Sequence, residues 1–109
     1  FFLQEDFHGK NMLLDSSTHI MTGLIDWSDT ILAPLEQEFW VWEWSPGDGI
    51  DKAAARYQDL TNLSIDVASA RTWCHLNEIA DYVEQSDSGD RLGAEDSARH
   101  IRRWISEGK

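Results

Sequence analysis

Apolar and polar positions divide the chain into a short β-rich start and a longer helical remainder. Two brief apolar runs, Met12–Leu14 and Ile20–Ile25, flank Asp15-Ser-Ser-Thr. Turn formers between two such runs predict a β-hairpin over Asn11–Leu14 and Ile20–Ile25. Phe1-Phe2-Leu3 reads as a strand already under way, and 27–34 as a loop ended by Pro34. From Leu35 to Trp44 the chain is acidic and aromatic. Early acids and a Pro at or near the first turn suit a helix there, although Trp40, Trp42 and Trp44 also alternate as a strand would. Ser45 to Gly49 is a loop by its turn residues.

Three further helices follow. Ile50 to about Asn62 carries Ala53, Ala54, Tyr57 and Leu60–Thr61 along one side. A third helix, capped by Ser64 and running to about Gln85, has the stripe Ala70, Trp73, Leu76, Ile79–Ala80 and Val83. Ser86–Asp90 breaks it. The last helix, from about Ala94 to Ser106, turns Ala98, Ile101, Trp104 and Ile105 inward and sets Arg99, Arg102 and Arg103 in water near its end. The class implied is α+β and mostly helical: one short hairpin on about four helices.

The hairpin concentrates chemistry. With the fold-back near Thr18-His19, antiparallel pairing sets Asn11 opposite or nearly opposite Asp26, and directly opposed Cα atoms lie about 4.5–5.5 Å apart. Asp6 is one short loop away. Carboxylate and amide oxygens are the hard ligands Mg2+ accepts beside phosphates and water. An Asp next to such a metal can orient or deprotonate a hydroxyl. His8 and Asp29 read as loop residues, and Cys74 and Trp73 as core. His75 and His100 read as surface residues, and no zinc set or Ser-His-Asp triad is present.

Asp6-x-x-x-x-Asn11, a hairpin, and then Leu24-Ile25-Asp26-Trp27 resemble the catalytic and metal-binding segments of the aminoglycoside phosphotransferase-like kinases, which include choline kinases. Their usual form is His-Gly-Asp-Leu-His-x-Gly-Asn, three apolar residues and Asp, then Gly-h-Ile-Asp-Trp. The resemblance covers roughly the first third of the chain. It implies that Asp6 is the catalytic base and that Asn11 and Asp26 are metal ligands. It also implies ATP and Mg2+ as cofactors of a longer parent, and a partial C-terminal lobe of a kinase-like fold over residues 1–109. An N-terminal nucleotide lobe would precede Phe1. The fragment alone is expected to hold no cofactor and to be inactive. Gln4 and Glu5 stand where the family has His-Gly, Lys10 where it has a small residue, and Ala33-Pro34-Leu35 where it often has Gly-Asp-Pro.

Composition narrows the partners. The chain has 109 residues, 41% hydrophobic with six Trp, which suits one folded domain. A net charge of −11 argues against nucleic acid and anionic membrane surfaces, and permits a cationic small molecule. Glu36, Glu38 and Glu43 with Trp40, Trp42 and Trp44 are candidates to hold that cation, because aromatic faces and carboxylates attract it; the competing reading of the Trp residues is core. No apolar run reaches membrane-span length, and the single Cys74 fits a reducing cytosol. The function expected is γ-phosphoryl transfer from ATP to the hydroxyl of an aminoglycoside, choline or another amino alcohol. The alternative is a non-catalytic kinase remnant or acidic binding module, which Gln4, Glu5 and Lys10 favour.

Overall fold

A computed structural model describes residues 1–45 and 47–108, without the side chains of Glu43 and Trp44. Those two side chains and Pro46, counted above in the aromatic run and its following loop, lie outside the described residues. The protein is α+β and mostly helical, as its patterning predicts. In chain order it has β1 (Phe2–Leu3), a 3-10 turn at Gly9–Asn11, β2 (Met12–Leu14), β3 (Met21–Leu24) and β4 (Ile31–Leu32). A 3-10 helix at Leu35–Trp44 follows, then α1 (Gly49–Thr61), α2 (Val67–Ser88) and α3 (Arg91–Glu107).

β2 and β3 form the expected antiparallel hairpin, with Met12 opposite Leu24 and Leu13 opposite Gly23. Its turn is built by one side chain. The Asp15 carboxylate accepts from the backbone N–H and hydroxyl of both Ser17 and Thr18, at 2.6–3.0 Å. Those four donors hold its pKa far below the usual carboxylate range. The stretch read as loop before Pro34 contains a strand: β4 pairs with β1, Phe2 against Leu32 and Leu3 against Ile31. A two-residue strand is too short to show alternation in sequence, so only its partner reveals it.

The aromatic run is helical but wound as a 3-10 helix of ten residues, long for that form. α1 starts within one residue of its expected place and ends in a left-handed Asn62 cap. α2 is capped by Asp66 rather than Ser64. The Asp66 carboxylate takes the Ala68 and Ser69 N–H groups, as an N-cap must. Ser86 to Ser88 continue the helix instead of breaking it, and the chain turns only at Gly89, φ 81°. Asp90 then caps α3, which therefore begins at Arg91 rather than near Ala94.

The core joins Leu3, Leu35, Phe39, Ile50, Ala54 and Ala70, so β1, the 3-10 helix, α1 and the start of α2 share one apolar centre. Packing along α2 differs from the expected stripe. Ala70, Cys74 and Glu78 are buried, whereas Leu76, Ile79 and Val83 are exposed. On α3 Trp104 and Ser97 are buried, while Ile105 is exposed. Leu60 on α1 is exposed too. The two histidines read as surface residues are engaged. His75 stacks on Trp104 with ring centroids 3.8 Å apart, and His100 Nδ1 meets Glu78 Oε1 at 3.2 Å. Among the described residues no helix is long and apolar enough to cross a membrane.

Ile50, 2% exposed, should be a stability determinant and Ile105, 70% exposed, should not. Ile50→Ala is expected to lower the unfolding free energy by about 2–4 kcal/mol, and Ile105→Ala to change it by less than about 0.5 kcal/mol, both measured by chemical denaturation.

Candidate functional site

The candidate site lies where the chain leaves β1, at the open end of the hairpin. Gln4 follows β1 directly and is 3% exposed. Its amide is used at both ends. Oε1 accepts the Asp6 N–H at 2.9 Å, and Nε2 donates to the Asp26 carbonyl at 2.7 Å and the Ile25 carbonyl at 3.3 Å. One side chain thus ties the Asp6 loop to the end of β3. A buried amide must satisfy its polar atoms, and here the backbone of two candidate residues does so. Gln4 was legible in the sequence only as a departure from a family pattern. The signal that could have found it is a polar residue directly after an apolar strand start.

Asp6 and Asn11 are brought together. Asn11 is buried, and its Nδ2 donates to Asp6 Oδ2 at 2.7 Å and to the Asp6 carbonyl at 2.9 Å. His8 completes the loop as packing, consistent with its reading as a loop residue. Its Nδ1 accepts the Lys10 N–H, which leaves the Nε2 proton to be donated to Asp6 Oδ1 at 3.1 Å. Both Asp6 oxygens are therefore oriented by neighbours within five residues.

Asp26 lies close to Asn11 along the backbone but is not hydrogen-bonded to it. The pairing partner of Asn11 is Ile25, whose N–H donates to the Asn11 carbonyl at 2.9 Å. Asp26 is one residue further, exposed, and left-handed at φ 59°. A non-glycine residue there costs about 1–2 kcal/mol, which the Gln4 bond to its carbonyl helps to offset. Its Oδ1 accepts the Ser28 hydroxyl at 2.7 Å. Asp29 is an exposed loop residue.

The acidic and aromatic candidates separate. Glu36 accepts the Asp66 N–H at 3.4 Å, at the start of α2. Glu38 accepts the Glu5 N–H at 3.2 Å. Both carboxylates thus hold backbone; Glu38 lines one groove with Trp42, while Trp40 lies in a separate cavity. Trp42 packs against Phe7, 6.3 Å between ring centroids, along an apolar groove. Trp40, half-buried, lines a separate cavity of about 330 Å3 with Glu5, Asp6, Asn77, Ala80 and Asp81.

Within that cavity Glu5 was legible in the sequence only as a departure from the family pattern, and Asp81 not at all. Glu5 is left-handed at φ 65°. Its Oε2 accepts from Gln37 at 3.0 Å, whereas its buried Oε1 has no hydrogen-bond partner among the described residues. Burial, opposed by the Gln37 bond and aided by the nearby Glu38 charge, raises the Glu5 pKa. Asp81 is raised as well, by desolvation and then by Glu78 and Glu84. Two carboxyls with raised pKa values thus line the same cavity as Asp6.

For a divalent cation the available donors are the Asn11 amide oxygen and the Asp26 carboxylate, hard oxygens of the kind Mg2+ takes. Among the described residues no three His, Cys, Asp or Glu side chains converge as metal ligands. No protein-family profile matches the chain, and no curated protein or solved structure shows significant similarity to it.

Two outcomes check this geometry. Gln4→Ala should leave the Asp6 amide without its acceptor, and amide hydrogen exchange at Asp6 and Ile25 should accelerate well before the core opens. Glu5→Gln should raise the melting temperature at pH 7. The sign follows from the raised folded pKa: the ionised group is disfavoured in the folded state, so the cost is present above that pKa. The cost fades as pH falls, and the advantage of the variant should be gone below the ordinary glutamate value of 4.5.

Proposed function

We propose that this chain is the acceptor-binding part of an ATP- and Mg2+-dependent small-molecule phosphotransferase, a partial C-terminal lobe whose nucleotide-covering lobe lies elsewhere in the parent protein. The observation that carries the reading is the cavity that Asp6 lines together with the carboxyl-bearing residues Glu5 and Asp81. At about 330 Å3 it is at the small end of ligand sites and matches an amino alcohol or a single amino-sugar ring. The substrate ammonium would rest between Glu5 and Asp81 against the Trp40 face, where a cation stabilises both carboxylates in their charged form.

Asp6, held by His8 and Asn11, would orient the acceptor hydroxyl and take its proton as the oxygen bonds to the γ-phosphorus. The bond from that phosphorus to the bridging oxygen of ADP breaks, and ADP leaves with the electron pair. Asn11 Oδ1 and the Asp26 carboxylate would hold Mg2+, which neutralises charge on the β- and γ-phosphate oxygens when bound. Positioning and charge stabilisation supply most of such a reaction, so the chain without groups to cover the phosphates is expected to be silent.

One observation favours the non-catalytic alternative, an acidic binding module: both Asp6 oxygens already accept hydrogen bonds from its own loop.

The test is phosphate transfer from ATP to a panel of amino sugars and amino alcohols by the full-length parent. Asp6→Asn should lower kcat by about 10²–10⁴-fold while acceptor binding persists. Glu5→Gln should raise KM for cationic acceptors with little change in kcat, and Asp26→Ala should abolish productive Mg·ATP engagement. Turnover unchanged by Asp6→Asn would show the base assignment to be wrong. A parent that binds no ATP would establish the binding-module reading instead.

A further inference from the structure

The acid cavity is not the largest opening. A groove of about 700 Å3 runs from Gln4 along the 3-10 helix to α1, and its volume is that of a site for a drug-sized molecule. Its walls are Leu3, Phe7, Trp27, Phe39, Trp42 and Tyr57. Phe39 and Tyr57 meet edge to face at 5.6 Å, and Phe7 tilts against Trp42, so the aromatic lining is ordered by its own contacts. Yet Trp27 is 53% exposed and Trp42 37%, which leaves large aromatic faces unburied in the groove.

The polar groups of the wall are unequal. Gln4 is engaged at both ends by backbone, and Glu38 holds the Glu5 N–H. Lys52 lies at the rim but is paired with Asp48 at 2.8 Å. Arg56, one helical turn on, also lines the groove and makes no ion pair or hydrogen bond to a described residue. An apolar, aromatic trough with one uncommitted guanidinium and a second cation beside it is complementary to a molecule with an apolar body and one negative end.

We propose that this groove binds an amphipathic monoanion, its hydrocarbon or aromatic body against Trp27 and Trp42 and its carboxylate on the Arg56 guanidinium. The proposal is independent of the phosphotransferase reading, since it uses neither Asp6 nor the acid cavity. The overall charge sharpens it. At −11 the protein as a whole attracts cations, and Glu38 also lines the groove, so a preference for an anion can come only from Arg56, since Lys52 is already paired with Asp48.

The experiment titrates the protein with decanoate and, separately, with decyltrimethylammonium, both below their micelle concentrations. Binding is read from tryptophan fluorescence and from the indole N–H resonances of Trp27 and Trp42. Decanoate should bind saturably, shift those two indole signals, and bind more tightly than the cationic amphiphile. Arg56→Gln should weaken decanoate by about tenfold, the scale of one lost charge-assisted contact, and Arg56→Glu should abolish it. Arg102→Gln, an exposed arginine on α3, should leave the affinity unchanged. Circular-dichroism melts matching the parent should accompany the Arg56 variants, because that side chain is exposed. Equal or tighter binding of the cation, no binding of decanoate, or decanoate affinity indifferent to Arg56→Glu would each overturn the proposal.

Discussion

The buried Gln4 amide is the constraint on which the candidate site depends. Its two hydrogen-bonding ends meet backbone groups of distant stretches, the Asp6 N–H two residues on and the Asp26 carbonyl 22 residues on. Both lie in stretches with little regular structure of their own, and Asp26 is held in a left-handed conformation. Without a shared anchor, loop entropy would let the two ends of the hairpin drift apart. A charged side chain could not do this job as cheaply in a nearly closed position, whereas an amide offers one acceptor and two donors with no ionic desolvation.

Around this anchor the acidic surplus is sorted by role. Asp15, Asp66 and Asp90 accept backbone N–H groups at a turn and two helix starts, where negative charge is favoured. Glu36 and Glu38 also hold backbone, stitching the 3-10 helix to α2 and to the loop before Asp6. Glu5 and Asp81 differ: their pKa values are raised, and neither cost is offset by an opposite charge among the causes that set it. Both line the cavity beside Asp6. Two carboxyls with raised pKa values at one concave place are what the proposed cation site rests on.

The α2–α3 pair follows a different logic. Its inner surface joins polar contacts, Glu78 with His100 and Gln85 with Ser97 at 3.0 Å, to the stacked rings of His75 and Trp104. Leu76, Ile79 and Val83 face out from the same helix. On α2 a 3–4 spacing can be drawn through either set, because Ala70, Cys74 and Glu78 also recur every four residues. Packing against the 3-10 helix and α3 selects the second set, since the small Ala70 and Cys74 let the helices approach and Glu78 meets His100.

Much was legible in the chain itself. The hairpin follows from two apolar runs about Asp15-Ser-Ser-Thr, and the helix count from local patterning, because both arise from interactions within a few residues. The closeness of Asp6 to Asn11 also belongs to sequence, since five residues of loop bring them together. What tertiary structure alone decided depends on contacts between distant segments. β4 exists because β1 lies beside it. The Trp40 and Trp42 side chains diverge into two cavities because the run is helical, where residues two apart point to opposite sides, whereas their alternation would have set them on one face of a strand. Glu5 gained its unpartnered oxygen and raised pKa only when folding placed Glu38 and Gln37 around it, 33 and 32 residues away. Local chemistry sets elements and neighbours along the chain; burial and charge environment are properties of the packed molecule.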